Sequence, residues 1–398
     1  MESQGTAKAG SIISYGLIVM TVTHTLTHVF GGIHPAIFSL LRAEFDLSLS
    51  QLGVIAAIPP LCQALLAIPT GLLSDRFGAK KMILVSFLVA ILGALLASYA
   101  PNPLTFIVAV SLVYINSTIY HPASYSFTAK SFGTRDRPKA LGLHGAGGTL
   151  GHATGPLAVS ILIGLLAFEW RNVYLLLTVP IFFGIIMVLF LKDEAVGEAV
   201  ESTAMPSENP VDTQTLFTMS LLMFLVFLAL RSIGSSMITN FLVLYLQDVK
   251  GLSITIASLI SSSTMLTGFL AAPIGGYFAS RFGEKPWLLS VLAMGYVFLG
   301  LSLIIPNLFL FALFYVAYGF CNTLSMASRT SIMAKLSPSG QRGLGYSIFF
   351  LPGSIVGAVA PVMAGFLADF YGFNTIFYIA LVIYVIGLGV IKFMVNVE

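Results

Sequence analysis

Apolar runs long enough to cross a bilayer recur along almost the whole chain, and they limit what it can fold into. A membrane-spanning helix needs roughly 20 predominantly apolar residues. Stretches of about that length or more fall near 11–41, 50–74, 82–100, 103–131, 139–167 and 171–192, and again near 215–247, 253–279, 287–304, 307–335, 341–368 and 372–392. Only 9% of the 398 residues are charged, against about 25% in soluble domains, and the mean hydropathy is +0.95. No soluble core of this size hides so much apolar surface. A membrane β-barrel would show short alternating segments, not continuous runs. The chain is therefore expected to be an all-α membrane protein with twelve transmembrane helices.

The one long polar segment, "KDEAVGEAVESTAMPSENPVDTQ" at 192–214, is acidic and contains Pro, Ser and Gly. It reads as a flexible cytoplasmic linker, 193–214, between six-helix bundles at 1–192 and 215–398. With the N-terminus inside, cytoplasmic segments carry 14 Lys and Arg and the opposite loops only Arg42, Arg171 and Lys250. That bias puts both termini in the cytoplasm. No short apolar core followed by a small-residue cleavage site opens the chain, so no removable signal peptide is expected. Cys62 and Cys321 lie apart in apolar runs and read as small apolar fillers. The net charge of +3 is spread over loops, which argues against a nucleic-acid partner.

The two halves match at one offset of 205 residues: Gly71 with Gly276, "RFGAK" from Arg76 with "RFGEK" from Arg281, Ala129-Lys130 with Ala334-Lys335, Arg137 with Arg342, Pro156 with Pro361. Such a repeat implies two bundles related by an axis along the membrane normal, with a cavity between them near mid-membrane. "GLLSDRFGAKK" (Gly71 to Lys81) and its echo "GGYFASRFGEK" (Gly275 to Lys285) resemble the signature loops of the major facilitator superfamily, and the resemblance covers the whole chain. It implies a secondary transporter in which Gly71, Asp75, Arg76, Gly78, Lys80 and Arg281 act as a conformational latch. Gly71 should let two helices approach closely. In the fifth span, Gly142, Gly151, Gly155 and Pro156 resemble the motif of the family's antiporters, although Val159 and Ser160 stand where a glycine pair usually follows. They are expected to pack that helix tightly against a neighbour from the other half and to bend it at Pro156.

A narrower likeness involves His24, Glu44-Phe45, Gln51, Gly53 and His121-Pro122, which resemble the fosmidomycin-resistance branch of efflux carriers. The chain departs from that branch at His28, Ala123 and Ser126, where charged residues are usual. The branch's substrate is therefore not carried over.

All sixteen acidic residues fall at helix ends or in loops. The spans hold histidines instead, and all six lie in the first half: His24, His28, His34, His121, His144 and His152. His24 and His28 share a helix face. Three readings stand: structural hydrogen bonding, a metal pair, or proton coupling. Against a metal, no carboxylate or cysteine joins the pair in sequence and buried arginine would repel a cation. Histidine titrates near neutral pH and so can replace the missing carboxylates; His24, His28 and His152 are the coupling candidates. His144, near one end of its helix, is expected to matter least. Arg231 and Arg329 lie inside second-half spans, where charge is expensive and usually functional. With His121, Asn116, Tyr120 and Asn240 they form the candidate substrate site, suited to an anion.

The sequence thus reads as a proton-linked efflux carrier (antiporter) for a small anionic or amphiphilic compound, monomeric and in the inner membrane. It shows no catalytic motif, no cofactor fingerprint and no metal site. Two alternatives stay open: an anion–proton symporter that imports a nutrient, and a non-transporting sensor or scaffold.

Overall fold

A computed structural model describes residues 14–132, 137–191, 218–336 and 342–397. The expected linker at 193–214 and the side chain of Asp75 lie outside the described residues. In the first half, α1 (Tyr15–His28), α2 (Ile33–Ala36) and α3 (Phe38–Phe45) make one crossing. They are followed by α4 (Leu49–Phe77), α5 (Ala79–Ser98), α6 (Pro103–Ser131), α7 (Arg137–Ala158) and α8 (Trp170–Leu189). The second half runs α9 (Met219–Asp248), α10 (Ile254–Phe282), α11 (Glu284–Ile304), α12 (Leu308–Leu324) with α13 (Met326–Leu336), α14 (Arg342–Tyr371) and α15 (Phe373–Met394). Among the described residues ten helical stretches are long and apolar enough to span a bilayer, and shorter apolar windows within α10 and α14 complete twelve crossings.

Local chemistry sets the boundaries. Ser48 opens α4 with a capping box to Gln51. Asn102, Thr218, Ser253 and Asn307 cap α6, α9, α10 and α12 through their side chains, each supplying an acceptor for an otherwise unpaired N–H. The first crossing departs from the continuous helix expected over 11–41. It breaks after His28, and Gly32 takes φ +76°, a left-handed conformation that glycine adopts without strain. Pro156 of α7 seats against that break: a Cβ on Gly32 would lie 3.0 Å from its Cγ. After Pro156, α7 runs into a π-helical segment, Val159–Leu165.

The glycine face of α7 meets α1 of its own half, not the other half as the sequence led us to expect. Gly147 lies against the Thr21 carbonyl, Gly151 against that of Thr25, and Gly155 against that of Gly31. The reason is geometric: the glycines recur at three- and four-residue spacing on the face turned to α1. The other face of α7 meets α10, where Ser262 Oγ donates to the Ala153 carbonyl at 2.8 Å and Ser160 Oγ to that of Thr255 at 2.8 Å.

One surface of the bundle carries the described chain ends and the Gly78 and Gly283 turns (the terminal face). The other carries the Asp46 and Gly251 turns (the far face). At the far face the halves are tied together. Asp369 accepts from the Leu49 and Ser50 amides at 3.0 and 2.8 Å and from Ser50 Oγ at 2.6 Å, and Arg42 pairs with Asp248 at 2.9 Å. Beside them Glu44 binds Trp170 Nε1 and the Arg171 guanidinium; the Arg171 hydrogen bond holds its carboxyl below the usual carboxylate range.

At the terminal face the loop lysines act symmetrically. Lys80 donates to the Leu191 carbonyl at 2.8 Å, and its repeat mate Lys285 to that of Val395 at 2.6 Å. Each tethers the end of the last helix of its own half. Arg76 and Arg281 lie over the adjacent Phe77 and Phe282 rings. Gly71 does not make the expected close approach: a Cβ there would meet nothing within 4 Å.

These contacts separate two glycine substitutions. Gly155→Val drives a side chain into the Gly31 backbone and is expected to cost about 1–3 kcal/mol or more, as overpacking does. Gly142→Ala enters open space and should be neutral or stabilising by up to about 1 kcal/mol. Thermal unfolding in detergent reads both; equal melting temperatures would contradict the packing.

Candidate substrate cavity and histidine cluster

A cavity of about 510 Å³ lies between the halves. From the first half it takes Thr27, His28 and Pro35 of the broken crossing, Gln63 of α4, Ser117 and His121 of α6 and His152 of α7. From the second it takes Arg231, Ser232, Ser235, Ser236, Thr239 and Asn240 of α9, Ser261 of α10, and Gly353 and Gly357 of α14. The α9 hydroxyls recur every three to four residues and so share one helix face. Among the described lining residues Arg231 is the only formal charge, and no carboxylate is present. Arg231 is braced from behind, Nη2 donating to Asn322 Oδ1 at 2.7 Å, while its Nε is buried without a partner.

Five of the six histidines converge on the first-half wall. The His28 and His152 rings stack with centroids 3.9 Å apart, and His24 and His144 at 4.2 Å. His24 and His121 are 5.3 Å apart. Their hydrogen bonds restrict the tautomers. A carbonyl only accepts, so His24 Nδ1, 2.7 Å from the His144 carbonyl, carries a proton, as does His144 Nδ1, 3.0 Å from the Met20 carbonyl. His28 Nε2 and His121 Nε2 lie 3.1 Å apart, so one donates and the other accepts. That pair shares one N–H between two rings on the cavity wall.

His24, His28 and His121 place one ring nitrogen each within 4.8 Å of one another, a third ligand that the sequence reading did not anticipate. Three nitrogens are the count of an open zinc site. No thiolate or carboxylate joins them to offset a divalent charge, and Arg231 lines the same cavity. The nearby guanidinium opposes a divalent cation in this cavity.

The candidates separate by place. Arg231, His28, His121, His152 and Asn240 line the cavity. Asn116 and Tyr120 do not: both are fully buried behind the wall, Asn116 donating to the Thr27 carbonyl and Tyr120 to that of Met20. Arg329 also stands off the cavity, with Nε buried and unpartnered. His24 sits one layer back, stacked on His144, so His144 belongs to the cluster and not to a helix end. Sequence reasoning missed Gln63, Ser117 and the α9 hydroxyl face. "RSIGSSMITN" carried that last signal in its spacing.

A two-bundle helical fold with a polar cavity between its repeats defines a secondary transporter. The Major Facilitator Superfamily model matches residues 20–260 and 224–397, and the chain belongs to that family. It is 22% identical to the fosmidomycin resistance protein of Escherichia coli (strain K12), covering 94% of this chain and 92% of the relative. It is 24% identical to the probable nitrate transporter NarT of Staphylococcus epidermidis, covering 90% and 92%. Among solved structures, a bacterial homolog of the human lysosomal transporter Spinster, inward-facing and occupied, aligns with a TM-score of 0.81 at 15% identity, covering 95% of this chain and 96% of that one. The chain is a membrane-embedded transporter of small molecules and not an enzyme.

Placement behind the wall is testable. Tyr120→Phe removes a buried hydrogen bond and should lower stability by about 0.5–1.5 kcal/mol with substrate affinity unchanged. Asn240→Ala should lower affinity with little loss of stability. Melting curves and binding titrations on the same preparations check the pair; a selective affinity loss in Tyr120→Phe would put the hydroxyl in the cavity.

Proposed function

We propose that the chain is a proton-linked exporter of a small anion, working as a monomer in the bacterial inner membrane with its terminal face in the cytoplasm. The 14-to-3 distribution of Lys and Arg supports that orientation, and the segment 193–214 then joins the two bundles on the cytoplasmic side. One observation carries the anion reading: the guanidinium of Arg231 is the only formal charge on the described cavity wall, and hydroxyls and imidazoles, not carboxylates, surround it. A desolvated guanidinium with an unpaired N–H binds a carboxylate, nitrate, phosphate or phosphonate oxygen strongly. His28 and His121, with His152 stacked on His28, then take the place of the buried carboxylate that accepts the coupling proton, and His24 orients them from behind.

Exchange is supported by the glycine motif of α7. Symport is the second reading, and a specific observation favours it: the histidines and Arg231 share one cavity, so a proton bound there strengthens attraction for an anion. The sign of the pH gradient that accumulates substrate distinguishes the two.

The test is a screen of anions in proteoliposomes under an imposed pH gradient. For the anion found, Arg231→Ala should weaken binding by a factor of tens to thousands, corresponding to about 2–5 kcal/mol for a desolvated charge contact; Arg329→Ala, off the cavity, should have a smaller effect. His28→Gln keeps hydrogen bonding but cannot titrate near neutral pH. It should abolish gradient-driven accumulation and spare substrate counterflow. Unchanged binding in Arg231→Ala would end the anion assignment, and full accumulation in His28→Gln would end that of the proton.

A further inference from the structure

A second polar region lies in the first half, between the cavity and the far face. His34 of α2 is 1% exposed, and neither ring nitrogen has a partner. It meets the Tyr114 ring edge-on at 5.4 Å and Phe38 at 5.9 Å. Other buried polar atoms without partners belong to the same half: Ser111 Oγ, one turn before Tyr114 on α6, the Tyr174 hydroxyl on α8, and Asn116 Oδ1. A single orphan of this kind bears a full desolvation penalty. Buried waters bridge such groups where there is room for them.

The region has two ends. Inward, Tyr114 and Thr27 line the cavity beside His28 and His121, and Asn116 Nδ2 donates to the Thr27 carbonyl at 3.1 Å. Outward, Tyr174 is one turn from Trp170, whose Nε1 donates to the half-exposed Glu44 at 2.8 Å. Meanwhile Asp369 and the Arg42–Asp248 pair close the seam between the halves on that side. A proton from the far face then needs a route that does not follow the substrate.

We propose that the first half contains a hydrated proton path from the far face to the His28–His121 pair, with His34 as its relay. The inference rests on the proton-coupled reading above. The relay balances: one ring nitrogen of His34 accepts a proton from water on the far side as the other releases one toward Tyr114 and the cavity, and the ring returns to neutral. The rings in contact with His34 are Tyr114 from α6 and Phe38 from α3; α2 also packs on α9 and α7, and among the described residues no carboxylate, lysine or arginine forms a hydrogen bond or ion pair with His34.

Two measurements test it. Nitrogen-15 histidine NMR on the full chain in nanodiscs, with His34→Gln to assign the ring, reads exchange with D₂O without any substrate. The path predicts ring-proton exchange at least tenfold faster than for the carbonyl-bonded His144, slowed again in Tyr174→Phe. A His34 ring as protected as His144 would overturn the path whatever the fate of proton coupling. In proteoliposomes loaded with nitrate, phosphate or succinate as probe anions and an internal pH dye, His34→Gln should slow proton entry at least tenfold while anion counterflow persists. Equal loss of both would make His34 structural and overturn the relay, as would unchanged proton entry. If no probe moves protons in the unsubstituted chain, both the relay and the coupling reading beneath it fall.

Discussion

The contact that organises the first half is backbone against backbone, between α7 and α1. Gly147, Gly151 and Gly155 let the two helices approach until carbonyls of α1 fill the space a side chain would take. Small residues drive helix association in a membrane because lipid supplies no hydrophobic force between helices. The same contact decides the chemistry. Gly148 leaves room for the His24 ring, which a Cβ would meet at 2.6 Å. His144 and His152, projecting from the same helix, are thereby laid on His24 and His28. Beside Pro156 of α7 the first crossing breaks at Gly31-Gly32, and that break forms part of the cavity wall.

Charge is distributed to match. Acidic residues fall at helix ends or in loops; among those described, Asp369 caps α4 and Glu44 is held by Arg171. The interior keeps arginine and imidazole. A guanidinium buried without a carboxylate is costly, and Asn322 offsets only part of that cost by accepting from one nitrogen of Arg231. On the proposed reading, an anion in the cavity would meet the remainder. Imidazole on the opposite wall is neutral when unprotonated, so on the proposed reading the cavity would change its charge without moving a side chain far.

The crossings, the repeat and the family were legible in the sequence because they depend on composition over tens of residues and on one fixed offset. So were Arg231, His28, His121 and His152, because any ionisable residue inside a span stands out. Depth and facing were not legible. Arg231 and Arg329 look alike in sequence, yet only one lines the cavity; Tyr120 neighbours His121 but points away from it. The stacking of His144 on His24 was not legible either, because distance from a helix end says nothing of what α1 brings alongside. Gly31-Gly32 read as part of a continuous helix, since glycine is common inside membrane spans and its left-handed turn appears only once Pro156 packs on it.

The repeat also shows where its symmetry was given up. The halves meet along two equivalent seams, α4 with α14 and the π-helical end of α7 with α10. At the offset of 205, Leu49-Ser50 correspond to Ile254-Thr255, Gly365 to Ser160 and Asp369 to Gly164. On the first seam Gly365 lies against the Leu49 backbone and Asp369 binds the α4 N-terminus through two amides and a hydroxyl. On the second, Gly164 lies against Thr255, and the bonds that join the helices, Ser160 to the Thr255 carbonyl and Ser262 to the Ala153 carbonyl, are both neutral. A carboxylate at a helix N-terminus gains from the amides and from the helix dipole together; a serine bonded to a carbonyl gains neither. The first seam is therefore the stronger, and separation of the halves at the far face is limited by Asp369 and not by its glycine counterpart. Small residues line both seams, and on the far face Asp369 and the Arg42–Asp248 pair hold the halves together in this structure.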